Sequence, residues 1–210
     1  MLDKICNFLI DKMKSEMPDI TEEREEVIRY GLENLVGELP KTFLVFIIAA
    51  VLGVLDLTLI SFASILAYRA FSGGFHAKTH LACILLTSSL YIGNVYLSKL
   101  VVYEQIWVKY MIVLGVWLFA MAMISLYAPA DTENVPILRK KDRHDKKILS
   151  YITMTITLII SLIIQDMLIS NIIWIGVLLQ TCCITRFAYK ITNNRYGYEV
   201  YNSEMTSKLI

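Results

Sequence analysis

The sequence has little net charge, no disulfide pattern and no stretch that resembles a secretory leader. Its formal net charge is +1, so no overall electrostatic field favours a nucleic acid as partner. The four cysteines show neither a CxxC spacing nor the density of a disulfide scaffold, which favours reduced thiols. Residues 1–20 mix acidic and basic side chains and have no long apolar core ending in a small-residue cleavage site, unlike a signal peptide. Membrane spans must therefore direct insertion.

Apolar residues, by contrast, are abundant. Hydrophobic residues make up 56% of the 210 positions and the mean hydropathy is +0.56, which is too apolar for an ordinary soluble domain. Each of the last four apolar stretches has the length of one span, because the hydrocarbon core needs about 20 helical residues. The first stretch is too long for one span and short for two. The pattern predicts an all-α polytopic integral membrane protein, with apolar stretches at 42–70, 80–98, 106–128, 148–165 and 168–188.

The basic residues of one loop set the predicted topology. Six arginines and lysines lie within 129–147, and basic residues in short loops favour the cytoplasmic side. Counting back through two spans places 71–79 on that side too. If the N-terminal region is also cytoplasmic, residues 42–70 must leave and return, as two short helices or a re-entrant hairpin turning near Asp56. About six transmembrane segments result, the first two short.

The remaining regions predict a three-part organisation. Residues 1–40 carry two amphipathic patterns at helical spacing, separated by Pro18 and Asp19, and are predicted to form amphipathic cytoplasmic or membrane-surface helices. Residues 41–190 form the membrane-embedded domain, and 191–210 form a cytoplasmic tail.

The stretch RAFSGGFHAKTHLAC, from Arg69 to Cys83, concentrates ionisable and nucleophilic groups at the edge of an apolar segment. Such groups are costly near hydrocarbon, so they indicate a functional site. Gly73 and Gly74 permit a tight turn. Cys83 is then expected in the first turn or so of the following span, where unpaired amide groups and the helix dipole favour a thiolate.

Two histidines compete as the base for that thiol. His80 is three residues before Cys83, within one helical turn. His76 is seven residues before it, roughly 10 Å away along an unbroken helix, so it can serve only if the chain bends between them. Geometry alone favours neither. The same residues also form the pattern HxxxHxxC and could hold a metal ion, although a structural zinc site usually needs a fourth ligand.

At these residues the sequence resembles the AgrB family, the accessory gene regulator B proteins of bacterial peptide quorum sensing. The family pattern of an arginine, a glycine pair, a histidine and a cysteine seven residues later is matched in order by Arg69, Gly73, Gly74, His76 and Cys83. A second match covers 127–134 with Pro136, followed by the basic run from Arg139. The resemblance extends over roughly residues 40–190.

The resemblance implies a membrane cysteine endopeptidase with Cys83 as nucleophile and His76 as general base. Arg69, Gly73 and Gly74 would support the site or contact substrate, and His80 has no family role. The implied substrate is an AgrD-type propeptide, cut through a thioester that the peptide then resolves into a thiolactone or lactone ring. The resemblance further implies a homodimer in the lipid bilayer of the bacterial cell membrane. The count of basic loops predicts an active site at the cytoplasmic face, and neither metal nor cofactor is expected.

The runner-up is a non-enzymatic membrane peptide exporter or receptor. A transporter is expected to place its ionisable groups near mid-membrane, whereas here they gather at one face, which favours chemistry.

Several residues keep more than one interpretation. Arg69 could bind substrate carboxylates or anchor at the lipid interface, and the basic run 139–147 could contact lipid headgroups or dock an acidic propeptide. The adjacent cysteines in the last span are expected to pack rather than react. The candidates to orient the histidine are Asp56, Asp131 and Glu133.

Overall fold

The computed structural model describes residues 7–8, 10–13, 15, 22–77, 79–133 and 136–207, and the predicted break at Pro18 and Asp19 lies outside them. Over these residues the chain is helical with no β-strand, and the described positions before residue 16 are also helical. The helices that follow are α1 (Glu22–Val51), α2 (Leu55–Ser72), α3 (His80–Leu100), α4 (Ile106–Tyr127), α5 (Lys140–Ile163), α6 (Met167–Cys183), α7 (Arg186–Ile191) and α8 (Gly197–Ser207).

Six of these helical segments are apolar enough to lie in a membrane. By length and composition, α2 to α5 could each cross one, while α6 and the Leu39–Val51 part of α1 are shorter apolar helices. A bilayer favours helices because hydrocarbon offers no partner for an unpaired backbone group. The prediction of an all-α polytopic membrane protein is confirmed. The side of the membrane on which each loop lies stays a prediction.

The chain divides into two compact units, Met1–Ile48 and Ala49–Ile210. In the first, α1 runs without interruption through Pro40, although proline normally removes one helical hydrogen bond and ends or kinks a helix. The apolar helix predicted to begin near residue 42 is therefore the end of a 30-residue helix.

The chain turns between α1 and α2, three residues before Asp56. Gly53 adopts a φ of 68°, a left-handed conformation that glycine tolerates, and the amide of Val54 donates to the carbonyl of Ala49 at 2.9 Å. Asp56 instead lies in the first turn of α2, where the helix dipole interacts favourably with a carboxylate. The predicted turn is thus found close to its expected position.

Helix α6 is the centre of the second unit. It contacts α2, α3, α4 and α5, and every residue from Ser170 to Val177 is buried. Polar side chains join it to its neighbours: Asn94 of α3 donates to the carbonyl of Ile172 and to Ser61 Oγ of α2, both at 2.9 Å. In hydrocarbon such bonds hold helices together, since the groups have no water to replace the partner. This central position explains how a 17-residue helix is stably enclosed.

The basic run belongs largely to a helix, because α5 begins at Lys140 rather than near residue 148. Two of its side chains have partners in the preceding segment. Arg143 forms an ion pair with Asp131 at 3.0 Å, and Lys147 donates to the carbonyl of Ser125 at 2.6 Å. Two basic residues therefore also hold the start of α5 against the rest of the second unit.

The chain after α6 folds back onto the second unit. The hydroxyl of Tyr189 donates to the carbonyl of Asp131 at 3.0 Å, and that of Tyr196 donates to the carbonyl of Ile184 at 2.8 Å. The two rings stack at 4.2 Å. Burial raises the pKa of both phenols above the ordinary value, so they remain hydrogen-bond donors at neutral pH. Part of the predicted tail is therefore packed structure.

Candidate active site

The glycine pair ends α2 and turns the chain toward α3. Gly73 has a φ of 72° and donates its amide to the carbonyl of Arg69 at 3.0 Å, while Gly74 has a φ of 144°. A Cβ atom on Gly73 would lie 2.2 Å from the carbonyl oxygen of Ala130, a separation that real structures do not contain. Both the backbone angle and the close approach therefore require glycine at position 73.

The close approach joins the two sequence motifs. The amide of Gly74 donates to the carbonyl of Ala130 at 2.9 Å, and the amide of Ala130 donates to the carbonyl of Ser72 at 2.8 Å. Together they form an isolated parallel β-bridge between Gly73 and Ala130. The stretch from Tyr127 to Asp131 is thus a support for the glycine turn.

Arg69 of α2 and Gln180 of α6 hold the same turn. Nη2 of Arg69 donates to the carbonyl of Phe75 at 2.8 Å, and Nη1 donates to Oε1 of Gln180 at 3.1 Å. Nε2 of Gln180, which is fully buried, donates to the carbonyl of Gly73 at 2.7 Å and to Oγ of Ser72 at 3.1 Å. Arg69 therefore has a partner within the protein that neither sequence interpretation included.

Sequence reasoning missed Gln180. Its signal was a lone amide within the apolar run WIGVLLQTCC of α6, where an unpaired polar group is expensive and so implies a partner. The partner itself lies 107 positions away in the chain, at Gly73, and no local pattern indicates it.

His76 lies in the non-helical segment between the glycine pair and α3, and its side chain is exposed. The side-chain amide of Asn194, from the segment between α7 and α8, donates to its backbone carbonyl at 2.9 Å. Because α3 begins only at His80, His76 and Cys83 do not share an unbroken helix. The bend that His76 requires is present, while the side chain of His80 lies outside those described.

Cys83 lies at the beginning of α3 and is partly buried. Thr79 caps this helix, because its hydroxyl oxygen accepts from the amide of Ala82 at 3.2 Å and its carbonyl accepts from the amide of Cys83 at 2.9 Å. The sulfur lies 4.0 Å from the hydroxyl of Thr87. The position matches the prediction of a cysteine near a helix N-terminus, where the dipole favours negative charge.

The three carboxylates considered as orienting groups have different surroundings. Asp131 is buried, and its Oδ2 accepts from the amides of Ile137 and Tyr198 and from Arg143, at 2.9–3.0 Å. Asp56 is exposed at the opposite end of α2.

Asp56, in the first turn of α2, is separated from Arg69, in its last turn, by roughly 20 Å along the helix. Glu133 pairs with Arg195 at 3.7 Å on the surface. Asp131 therefore organises the second motif, and its contacts are with backbone amides and Arg143.

The remaining sequence candidates are simpler. Among the described side chains, no group of three His, Cys, Asp or Glu residues could hold a metal ion. Cys182 is exposed and Cys183 partly buried at the end of α6, and both thiols are free. Around the described part of the loop, the structure combines a cysteine near a helix N-terminus, a histidine on a non-helical segment and a network of hydrogen bonds that fixes this segment.

Comparison with known proteins places this arrangement in context. A family model described as "Accessory gene regulator B" matches residues 4–184. An AgrB-like protein of Listeria monocytogenes serotype 4a is 33% identical over 175 residues, which cover 83% of each chain. An AgrB-like protein of Clostridium acetobutylicum is 27% identical over 181 residues, covering 86% of this chain and 84% of the relative. No solved structure matches the chain.

Proposed function

The chain belongs to the accessory gene regulator B family, and on that premise we propose that it is a membrane cysteine endopeptidase that matures a cyclic peptide signal. Family membership implies a role in agr quorum sensing with an AgrD-type partner. The finer proposal assigns Cys83 as nucleophile and His76 as general base. The reaction cleaves the propeptide through a thioester and closes a thiolactone or lactone ring.

One observation carries the residue assignment: the glycine turn puts His76 on a separate segment before the helix whose first residues bear Cys83. On an unbroken helix, a base seven residues before Cys83 would be held two turns from the sulfur, roughly 10 Å along the axis. A base on a bent segment can instead approach it. A nucleophile beside an imidazole is the usual arrangement for thiol catalysis.

In the proposed acylation step, His76 takes the proton of the Cys83 thiol and the sulfur attacks the scissile carbonyl carbon. The tetrahedral intermediate collapses as the carbon–nitrogen bond breaks, and the imidazolium returns the proton to the departing amine. The C-terminal fragment leaves and the N-terminal part remains as a thioester. Amide groups in the first turn of α3 that lack intrahelical acceptors are the proposed donors to the oxyanion.

In the proposed second step, a cysteine or serine of the bound peptide attacks the thioester. Its proton passes to His76, the ring closes, and Cys83 is regenerated as the thiol. Exchange of one thioester for another is nearly balanced in free energy, whereas hydrolysis would lose the activated acyl group. A site that holds the internal nucleophile close and excludes water therefore favours the ring.

The decisive experiment is mass spectrometry of the purified full-length protein incubated with AgrD-type propeptide. The expected product is a hydroxylamine-labile adduct on Cys83, together with the released C-terminal fragment. Cys83→Ala should abolish both while the protein stays folded. Cys182→Ala, which removes an exposed thiol of the same chain, is the control and should retain both.

His76→Ala should also abolish acylation, because proton transfer by a positioned side chain contributes about 100-fold or more. Cleavage that survives Cys83→Ala would contradict the proposal. Absence of both cleavage and adduct with the unaltered protein would also contradict it, and would leave the non-enzymatic exporter or receptor to be tested by transport or binding of the intact propeptide.

A further inference from the structure

The segment that follows α7 contacts the backbone of His76 directly. Nδ2 of Asn194 donates to the carbonyl of His76 at 2.9 Å. The same nitrogen lies 3.1 Å from the carbonyl of Thr192 and 3.0 Å from its hydroxyl. The backbone amide of Asn194 donates to the carbonyl of Tyr189 at 2.8 Å. This side chain links two otherwise distant segments.

The support beneath Asn194 is itself anchored. Tyr189 and Tyr196, on either side of it, stack on each other and donate to the carbonyls of Asp131 and Ile184. The amide of Tyr198 donates to the buried carboxylate of Asp131 at 3.0 Å. Asn194 is therefore attached to the second motif, which also contacts the glycine turn through Ala130.

We propose that Asn194 is a positioning residue for His76: its amide fixes the carbonyl of that residue and so the direction in which the imidazole leaves the backbone. Asn194 lies beyond residues 4–184, which match the family model, so family membership does not assign it a role. The inference rests on the proposed function, since it presumes that His76 acts on Cys83.

The conformational freedom of the loop is the reason why His76 needs this additional bond. Position 74 has a φ of 144°, which only glycine adopts readily, so the backbone before His76 is intrinsically permissive. The bonds to Phe75 and Gly73 fix the chain on the N-terminal side of His76. The bond from Asn194 fixes the peptide unit on its C-terminal side. Loss of this bond would therefore release the carbonyl of His76 from the segment that follows α7.

The test needs no substrate, because iodoacetamide alkylates a thiolate and peptide mass spectrometry can follow Cys83 alone. Near pH 7, His76→Ala should slow alkylation of Cys83 about tenfold, which sets the scale for loss of the base. Asn194→Ala and Asn194→Asp should each slow it about threefold or more. Asp replaces the donor by an acceptor of the same shape, facing a carbonyl.

Thr192→Val is the matched control. It removes the hydroxyl that contacts Asn194 but leaves the bond to His76, so alkylation should stay within about twofold of the unaltered protein. With propeptide, Asn194→Ala should lower kcat about tenfold and change KM less than about twofold, a split that general loss of structure would not produce. Asn194→Ser, whose hydroxyl is too short to reach, replaces any variant that aggregates.

The outcomes separate the two proposals. If His76→Ala leaves the alkylation rate of Cys83 unchanged, the proposed catalytic pair fails. If His76→Ala slows it while both Asn194 variants react like the unaltered protein, the pair stands and the positioning role is wrong. Slowing by Thr192→Val equal to that by Asn194→Ala would also overturn it, because the effect would then belong to the turn rather than to the bond with His76.

Discussion

The two residues assigned to catalysis are placed by different means. Cys83 is fixed locally, by a helix start whose capping residue, Thr79, is four positions away. His76 lies on a non-helical segment whose contacts come from Gln180, Ala130 and Asn194, all distant in the chain. The proposed nucleophile therefore depends on short-range structure, whereas the proposed base depends on contacts from distant parts of the second unit.

This difference gives an order of expected effects. Changes to the contacts around the histidine-bearing segment should reduce catalysis strongly, because each removes a long-range constraint on that segment. Changes to the cap of α3 should reduce it least, because the helix hydrogen bonds that follow still define its first turn.

The largest effect is expected for Gly73→Ala. The added methyl group would lie 2.2 Å from the carbonyl oxygen of Ala130, and the φ of 72° is unfavourable for alanine. Relieving the clash must break the β-bridge, so acylation of Cys83 should fall to background. Single-turnover release of the C-terminal fragment measures it.

Gly115→Ala is the matched control, because a Cβ there has no neighbour within 4 Å. It should retain full activity. Normal activity of Gly73→Ala would show that the glycine turn does not position His76. The contrast between the locally placed Cys83 and a His76 placed by long-range contacts would then be wrong.

A smaller loss is expected for Gln180→Met, which keeps the volume and removes three hydrogen bonds, including those with Gly73 and Arg69. Leaving a buried partner unsatisfied costs about 1–3 kcal/mol, so thermal stability should fall and the acylation rate with it. The rate should drop about tenfold or more, because the loop that carries His76 loses its bond to α6.

Asn171→Leu separates stability from catalysis. Asn171 is also a buried amide of α6, but it bonds to Val101 and Trp174 rather than to the glycine turn. Its replacement should cost comparable thermal stability with a much smaller loss of rate. Equal losses of rate in both variants would indicate that activity follows stability alone, and the special role of Gln180 would be wrong.

The same contrast explains what the sequence could predict. The helices and the number of apolar segments followed from composition, because a bilayer restricts the chain to helices of about 20 residues. The bend before Cys83 followed from Gly73 and Gly74, because their conformation is a property of the residue type. Helix ends were less predictable, since α5 extends into the charged run from Lys140.

The long-range contacts could not be predicted in this way. Gln180 and Asn194 bond to residues 107 and 118 positions away, and such pairings depend on how the helices pack. The role of Arg69 was incomplete for the same reason: its charge suggested substrate or lipid, whereas its position beside α6 supplies acceptors from the protein. Single polar residues in apolar runs indicate a partner without identifying it.

The smallest effect is expected for Thr79→Ala, which removes the side-chain cap of α3. Loss of a threonine cap costs about 0.5–2 kcal/mol, but the backbone bond from the amide of Cys83 to the carbonyl of residue 79 remains possible. Acylation should therefore slow only about threefold, and Thr79→Ser, which keeps the hydroxyl, should restore the rate. A loss as large as that of Gln180→Met would mean that the nucleophile needs its cap as much as the base needs its anchors, and the distinction between local and long-range placement would no longer hold.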